Sequence, residues 1–261
     1  MTTPTPRTRV GSAGDVDHGA IGSGYSSYRR PDERIARFVA GALGEARTVL
    51  NVGAGAGSYE RAARAVTAVE PSAPVRSRRP AQLARAIDAV AEDLPFADGE
   101  FDAAMTLLGV HQWSDVRAGL REIRRVTRGP VVILTCDPAL VRDFWLYRYA
   151  PEVLDTEAHR YPTVEELAAG LGGTGSVQTV PVPLDCTDGF NEAYYGRPEM
   201  LLDPAVRQAC SAWSFVDDAV RERFDKSLRH DLETGAWDEE FGHLRHRPTY
   251  DGSLVIVRAT L

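Results

Sequence analysis

Val49-Leu50-Asn51-Val52-Gly53-Ala54-Gly55-Ala56-Gly57 is the stretch on which the fold turns. A short apolar run breaks into three alternating glycines, which reads as a buried strand ending in a loop. Glycine is needed where the backbone turns tightly and where a ligand must approach without a Cβ in the way. The spacing is G-x-G-x-G. A dinucleotide loop, G-x-G-x-x-G, would place its third glycine at position 58, where Ser58 stands, so a nicotinamide site is the weaker alternative. A tight strand-to-helix turn with no ligand is the plain one.

Working outward, strands and helices alternate. Upstream, Pro31 suits a first helical turn, Ile35, Phe38, Val39 and Leu43 follow at helical spacing, and Gly44 closes the helix. Downstream, residues 60–65 read as a helix and residues 66–69 as a second strand, stopped by Glu70 and Pro71. A helix or strand runs through Ile87 and Val90, an apolar segment spans residues 101–110, and a helix spans residues 116–127. Residues 131–135 form the clearest strand, and residues 163–171 a helix. Strands follow at residues 177–182 and 253–259. This order predicts an α/β fold with a doubly wound parallel sheet. Val216, Val220, Phe224, Leu228 and Leu232 recur every four residues up to Gly235, so residues 184–248 read as a mainly helical lid inserted before the last strand. The domain reading is a flexible arm over residues 1–30, a core over 31–183 plus 249–261, and that lid.

Composition bounds the function. The chain has 261 residues, 43% hydrophobic and 26% charged, enough for one large core and against global disorder. A formal net charge of -7 argues against nucleic-acid or membrane-surface binding. Arg76, Arg78 and Arg79 therefore read as a solvated charged face. No apolar run suggests a membrane span, and the N-terminus lacks a signal-peptide apolar region, so a cytoplasmic protein is expected. Cys136, Cys186 and Cys210 are too scattered for a disulfide framework or a metal pair, and no metal site is expected.

Glu70 ends the second strand where a ribose would lie beside a glycine loop, and a carboxylate there can accept from both ribose hydroxyls. At such a strand end it reads as a group whose removal costs affinity and not stability. With Glu70 in place, the sequence resembles the class I S-adenosylmethionine-dependent methyltransferases, in particular small-molecule enzymes with a helical lid. The resemblance rests on VLNVGAGAGSYE, VEPS, AEDLPFADGEFDAA, HQWSD and LREIRRVTRGPVVILT, in that order. It implies a Rossmann-like seven-stranded sheet whose last strand runs antiparallel, with the cofactor S-adenosyl-L-methionine across the carboxyl ends of the strands.

Carried over residue by residue, the resemblance gives Gly53, Ala54, Gly55 and Gly57 to the methionine part of the cofactor. Glu70 would bind the ribose, Pro71 and Ser72 would flank the adenine, and Ala91 and Glu92 would meet its edge. Leu107 would line the methionyl side, while Tyr25 and Arg30 would close over the carboxylate. Asn51 stands where many relatives carry an acid that contacts the cofactor's amino group. A neutral amide can still accept a hydrogen bond there, less strongly than a carboxylate. Val90 replaces a common adenine-reading aspartate.

Methyl transfer from a sulfonium mainly needs the acceptor atom held near the methyl group, with a base only where a proton must leave. His111, just past the fourth apolar segment, is the candidate base. Asp185 and Asp188 read as a self-satisfied turn, with Tyr194 or Tyr195 lining the acceptor pocket as the lesser alternative. Phe144, Trp145 and Tyr147 read as core. The expected function is methyl transfer to an O, N or C nucleophile of a small organic molecule, by a monomer or homodimer. A cofactor-binding protein that does not methylate is the alternative.

Overall fold

The computed structural model describes residues 25–60 and 63–260, apart from the side chains of residues 25 and 26. Its strands are β1 (Thr48–Val52), β2 (Ala65–Val69), β3 (Ala103–Leu107), β4 (Val131–Cys136), β5 (Thr174–Thr179), β6 (Val182–Pro183), β7 (Thr249–Tyr250) and β8 (Leu254–Thr260). Six of them form one sheet in the order β2-β1-β3-β4-β8-β5, and β6 with β7 makes a small ribbon. β1 to β4 run parallel, and only β8 runs against its neighbours β4 and β5.

The sheet has six strands where seven were expected. The missing strand is reduced to one parallel bridge, Ile87 beside Val69. Its chain, residues 80–93, has mostly alanine as its apolar content, with Leu83, Ile87 and Val90 the larger side chains, and both Ile87 and Val90 are exposed. With little to bury, an edge strand does not propagate. Residues 60–65 also depart from expectation: the described residues there are turn and irregular until β2 begins. Tyr59 has φ of 65°, a left-handed conformation that an α-helix excludes.

Helices cover both faces. They are α1 (Tyr25–Tyr28), α2 (Glu33–Leu43), α3 (Ala73–Arg76), α4 (Val116–Arg125), α5 (Pro151–Arg160), α6 (Val164–Leu171), α7 (Pro204–Gln208), α8 (Asp218–Thr234) and α9 (Ala236–Phe241). α2 starts where the Asp32 carboxylate accepts from Arg34 N–H and ends at Gly44, with φ of 59°. Its Ile35, Val39 and Leu43 pack with Val49, Met105 and Leu134. On the opposite face, Leu120 and Ile123 of α4 and Leu167 and Leu171 of α6 cover Leu50, Ile133 and Val257. α6 opens with a reciprocal cap between Thr163 and Glu166.

Residues 184–248 run through α7, α8, α9 and several short 3-10 turns, and α8 stops at Gly235 with φ of 83°. Trp145, Tyr149, Trp237 and Phe241 interlock there, Trp145 and Trp237 edge to face with ring centres 5.6 Å apart. Phe144 and Trp145 are core, as read, while Tyr147 is only partly buried. Of the arm, residues 1–24 lie outside the described residues. Residues 25–28 are helical, and Arg29 pairs with Asp188 across the chain at 2.5 Å.

Candidate functional site

The carboxyl ends of β1, β2, β3 and β4 converge on one edge of the sheet, and the glycine loop leaves the first of them. Gly53, Gly55 and Gly57 all have positive φ, at 68°, 55° and 94°. At Gly57 the φ of 94° is one that L side chains rarely adopt, and a Cβ there would also displace Leu83 Cδ1, 2.2 Å away, so glycine is favoured. Ala54 is buried and donates its N–H to Val69 O, which ties the loop to β2.

Glu70 sits at the end of β2, 8% exposed. Its carboxylate accepts from Gly55 N–H at 3.0 Å and from Ser72 N–H at 2.8 Å. It thus bridges the glycine loop and the start of α3. The expectation that its loss would spare stability is corrected: two backbone donors would be left without their acceptor.

Asn51 is 1% exposed beneath the loop. Its Nδ2 donates to Glu60 Oε1 at 3.0 Å, while its Oδ1 is buried with no hydrogen-bond partner among the described residues. Glu60 in turn accepts from Arg79 Nη2 at 2.8 Å, and Arg79 Nη1 donates to Gly55 O at 3.2 Å. The two charged side chains are 2% and 4% exposed. Arg79 is therefore no part of a solvated face, although Arg76, paired with the exposed Asp88, is nearer to one. Sequence reading missed Glu60 and Arg79 because their pairing spans 19 positions, across β2 and α3.

The remaining expected positions divide. Pro71 is exposed and Ser72 precedes α3 beside Glu70. Ala91 is buried, and against it stands Gly119, where a Cβ would come within 3.2 Å of the Ala91 Cβ. Glu92 accepts from Ser114 Oγ and Asp115 N–H at 2.9 and 3.0 Å, so its carboxylate ties down the loop that starts α4. Leu107 ends β3, partly buried, and is followed by Leu108 at φ of 52°. Trp113 lines the same edge, its Nε1 4.0 Å from where a Gly53 Cβ would be. Arg30 lies apart on the rim of an open groove of about 550 Å³, with its N–H on Thr187 O. The Tyr25 side chain lies outside the described residues.

His111 follows β3 in a short turn, 5% exposed, its ring 4.5 Å from that of Tyr161 at a tilt. The Tyr161 hydroxyl meets the Cys136 thiol at the end of β4, and burial pushes both groups well above their ordinary pKa. Close by, Asn191 Nδ2 donates to Glu157 at 2.9 Å, and Trp213 Nε1 holds Asn191 Oδ1 at 3.1 Å. Glu192 accepts the Ser253 N–H, and burial, opposed by that bond, raises its carboxyl to about 7. A polar cluster thus lies over β3 and β4, roofed by residues of α5 and of the 184–248 segment.

Asp188 does not satisfy only its own turn. It takes Arg29 and the Tyr59 hydroxyl, the latter at 2.7 Å, and so links the arm, the glycine loop and the insertion. Asp185 is exposed and pairs with Arg34. Tyr195 is fully buried, stacked on Tyr250 and bonded to Arg247 O, which makes it core. Tyr194 is buried too, with the Arg197 guanidinium over its ring. Among the described residues, no group of three or more His, Cys, Asp or Glu is placed to hold a metal ion, and no helix is long and apolar enough to cross a membrane.

Comparison with known proteins agrees with this geometry. Residues 50–133, from β1 through β4, match the methyltransferase domain family. A candidate methyltransferase from an antibiotic biosynthesis pathway of Anabaena variabilis is similar in structure, with a TM-score of 0.83 and 27% identity over 90% of this chain and 100% of that one. Malonyl-[acyl-carrier protein] O-methyltransferase of Pseudescherichia vulneris is 33% identical over 118 residues, 42% of this chain and 47% of that protein. The matched regions span less than half the length of the curated relatives. A Thermotoga maritima S-adenosylmethionine-dependent methyltransferase, at 17% identity and a TM-score of 0.52 over 90% of this chain and 92% of that one, shares the fold. With its glycine loop, its strand-end acid and its one reversed strand, the chain shares the fold of the class I S-adenosylmethionine-dependent methyltransferases, and its residues 50–133 are a methyltransferase domain.

Proposed function

We propose that the chain transfers a methyl group from S-adenosylmethionine to an oxygen, nitrogen or carbon nucleophile of a small organic molecule. The observation that carries this reading is the orphaned Asn51 Oδ1 under a glycine loop anchored by Glu70, a site with one buried acceptor to spare. That acceptor suits the ammonium of an amino-acid moiety, and Glu70 suits a ribose diol. Bound there, the cofactor supplies a methyl group already activated on a sulfonium.

The chain's own residues do the rest. The positive-φ glycines keep side chains off the cofactor's path, and Trp113 and Leu107 wall it. Residues 184–248, with α5, act as a lid that shields the acceptor from water. Where the acceptor is an O–H or N–H, His111 is the proposed base for its proton. Supporting the small acceptor are the buried polar cluster and the likeness to a candidate antibiotic-pathway enzyme.

The test is incubation with isotopically labelled cofactor and panels of small alcohols, amines and carbon nucleophiles, read by mass spectrometry. Labelled product with release of S-adenosylhomocysteine is expected, and His111→Ala should lower kcat far more than cofactor affinity. Cofactor binding without turnover on any panel would favour a binding protein that does not methylate. Methylation confined to tRNA or protein would overturn the acceptor class.

A further inference from the structure

The residue that departs from the family pattern sits in a network of its own. Asn51 gives its amide N–H to Glu60, and a carboxylate can only accept, so the amide orientation is set: Nδ2 toward Glu60, Oδ1 away from it. Glu60 is almost fully buried, and its second oxygen is held by Arg79. Arg79 closes the ring on the glycine loop through Gly55 O. A hydrogen bond from an amide to an anion polarises that amide and strengthens its carbonyl as an acceptor.

We propose that Glu60, clamped by Arg79, orients and polarises Asn51 so that Oδ1 receives the cofactor's ammonium. In this reading, which rests on the cofactor site proposed above, Glu60 and Arg79 are positioning residues. Where the family pattern carries a carboxylate at the end of β1, the chain would use a neutral amide polarised by the Glu60–Arg79 pair. The arrangement also explains why an acid at position 51 is absent: a carboxylate there would face the Glu60 carboxylate at hydrogen-bonding distance.

The test compares two ligands by calorimetry, S-adenosylhomocysteine and 5′-methylthioadenosine, which shares the nucleoside but lacks the ammonium. For Glu60→Gln, affinity for S-adenosylhomocysteine should fall about five- to fiftyfold, while that for methylthioadenosine stays within about threefold. Asn51→Asp alone should also weaken S-adenosylhomocysteine binding. The swap N51D/E60Q, which keeps one carboxylate and one amide, should restore the wild-type ratio of the two affinities. An equal loss for both ligands, or no loss for either, would overturn the proposal by making the network merely structural. Should Glu60→Gln not fold, the swap decides alone: a retained ratio supports the relay, and a lost ratio overturns it. Wild-type protein that binds neither ligand would instead overturn the cofactor reading itself.

Discussion

Residues 53–93 and residues 141–248 are held in place by different forces. Among its described residues the first segment has one helix of four residues, and its order comes from charged groups meeting backbone. Arg64 donates to the carbonyls of Ala40, Gly44 and Ala46, Arg79 bridges Glu60 and Gly55, and Glu70 gathers two N–H groups. The second segment is knit by rings: Trp145, Tyr149, Trp237, Trp213 and Phe224 pack edge to face or tilted. The contrast fits two tasks. A surface that receives a charged cofactor needs directional donors and acceptors, whereas a cover over a reacting pair needs to exclude water.

The largest expected effect lies on the aromatic side. Trp237 is fully buried against Trp145 and Phe241, with the Arg245 guanidinium 4.7 Å over its ring. Trp237→Ala should cost about 3–5 kcal/mol in a denaturant titration. A cost under about 1 kcal/mol would show that ring packing does not hold this region.

Next comes the pH dependence of the roofed cluster. Burial raises the Glu192 carboxyl to about 7 and also raises Glu157. The folded state therefore binds protons more tightly than the unfolded chain, where a glutamate titrates near its ordinary value of about 4.3. Their contribution is greatest below that value and is lost as pH rises through 7, by roughly 3 kcal/mol for Glu192. Asp32 works the other way: burial would raise it, but bonds from Arg34 and Thr187 outweigh that and hold it at about 2. Its contribution is present above the usual carboxylate range and lost as pH falls toward 2. Melting temperature should thus decline from pH 5 to pH 8, and Glu192→Gln should flatten that slope. A wild-type slope unchanged in the variant would contradict the buried-acid account.

On the polar side, Glu70→Ala should cost about 1–3 kcal/mol of stability by orphaning Gly55 and Ser72 N–H. Affinity for S-adenosylhomocysteine should fall about tenfold to a few hundredfold. Calorimetry beside a melting curve separates the two: unchanged stability would remove the bridging role, and unchanged affinity with an intact fold would make Glu70 an ordinary strand-end acid. The smallest effect is expected at Arg142, whose pair with Asp155 is exposed on both sides. Arg142→Ala should change stability by less than about 1 kcal/mol, which calibrates exposed pairs against the buried Glu60–Arg79 pair.

Much of this was legible in the chain's local patterning. The β1 run, the three glycines, the acid at position 70, the periodic face of α4 and the stop at Gly235 each carry their signal within a few residues, because helix period, strand period and positive φ are local properties. The family followed from the order of those signals, and the reversed last strand came with it. The expected helix at 60–65 failed because a loop with Tyr59 in the left-handed region leaves no length for one. The seventh strand failed because strand pairing depends on what an edge can bury, and Ile87 and Val90 bury little.

What the one-dimensional pattern could not reach was partnership at a distance. Arg79 reads like its neighbours Arg76 and Arg78, and only the fold brings it to Glu60 and removes it from water. Asp188 reads as a turn residue until Arg29, 159 positions earlier, and Tyr59 arrive beside it. A charged side chain is as soluble alone as paired, so composition is silent on which charges are buried. Burial depends on whether a countercharge and a low-dielectric surround are assembled together, and here tertiary packing alone assembles them.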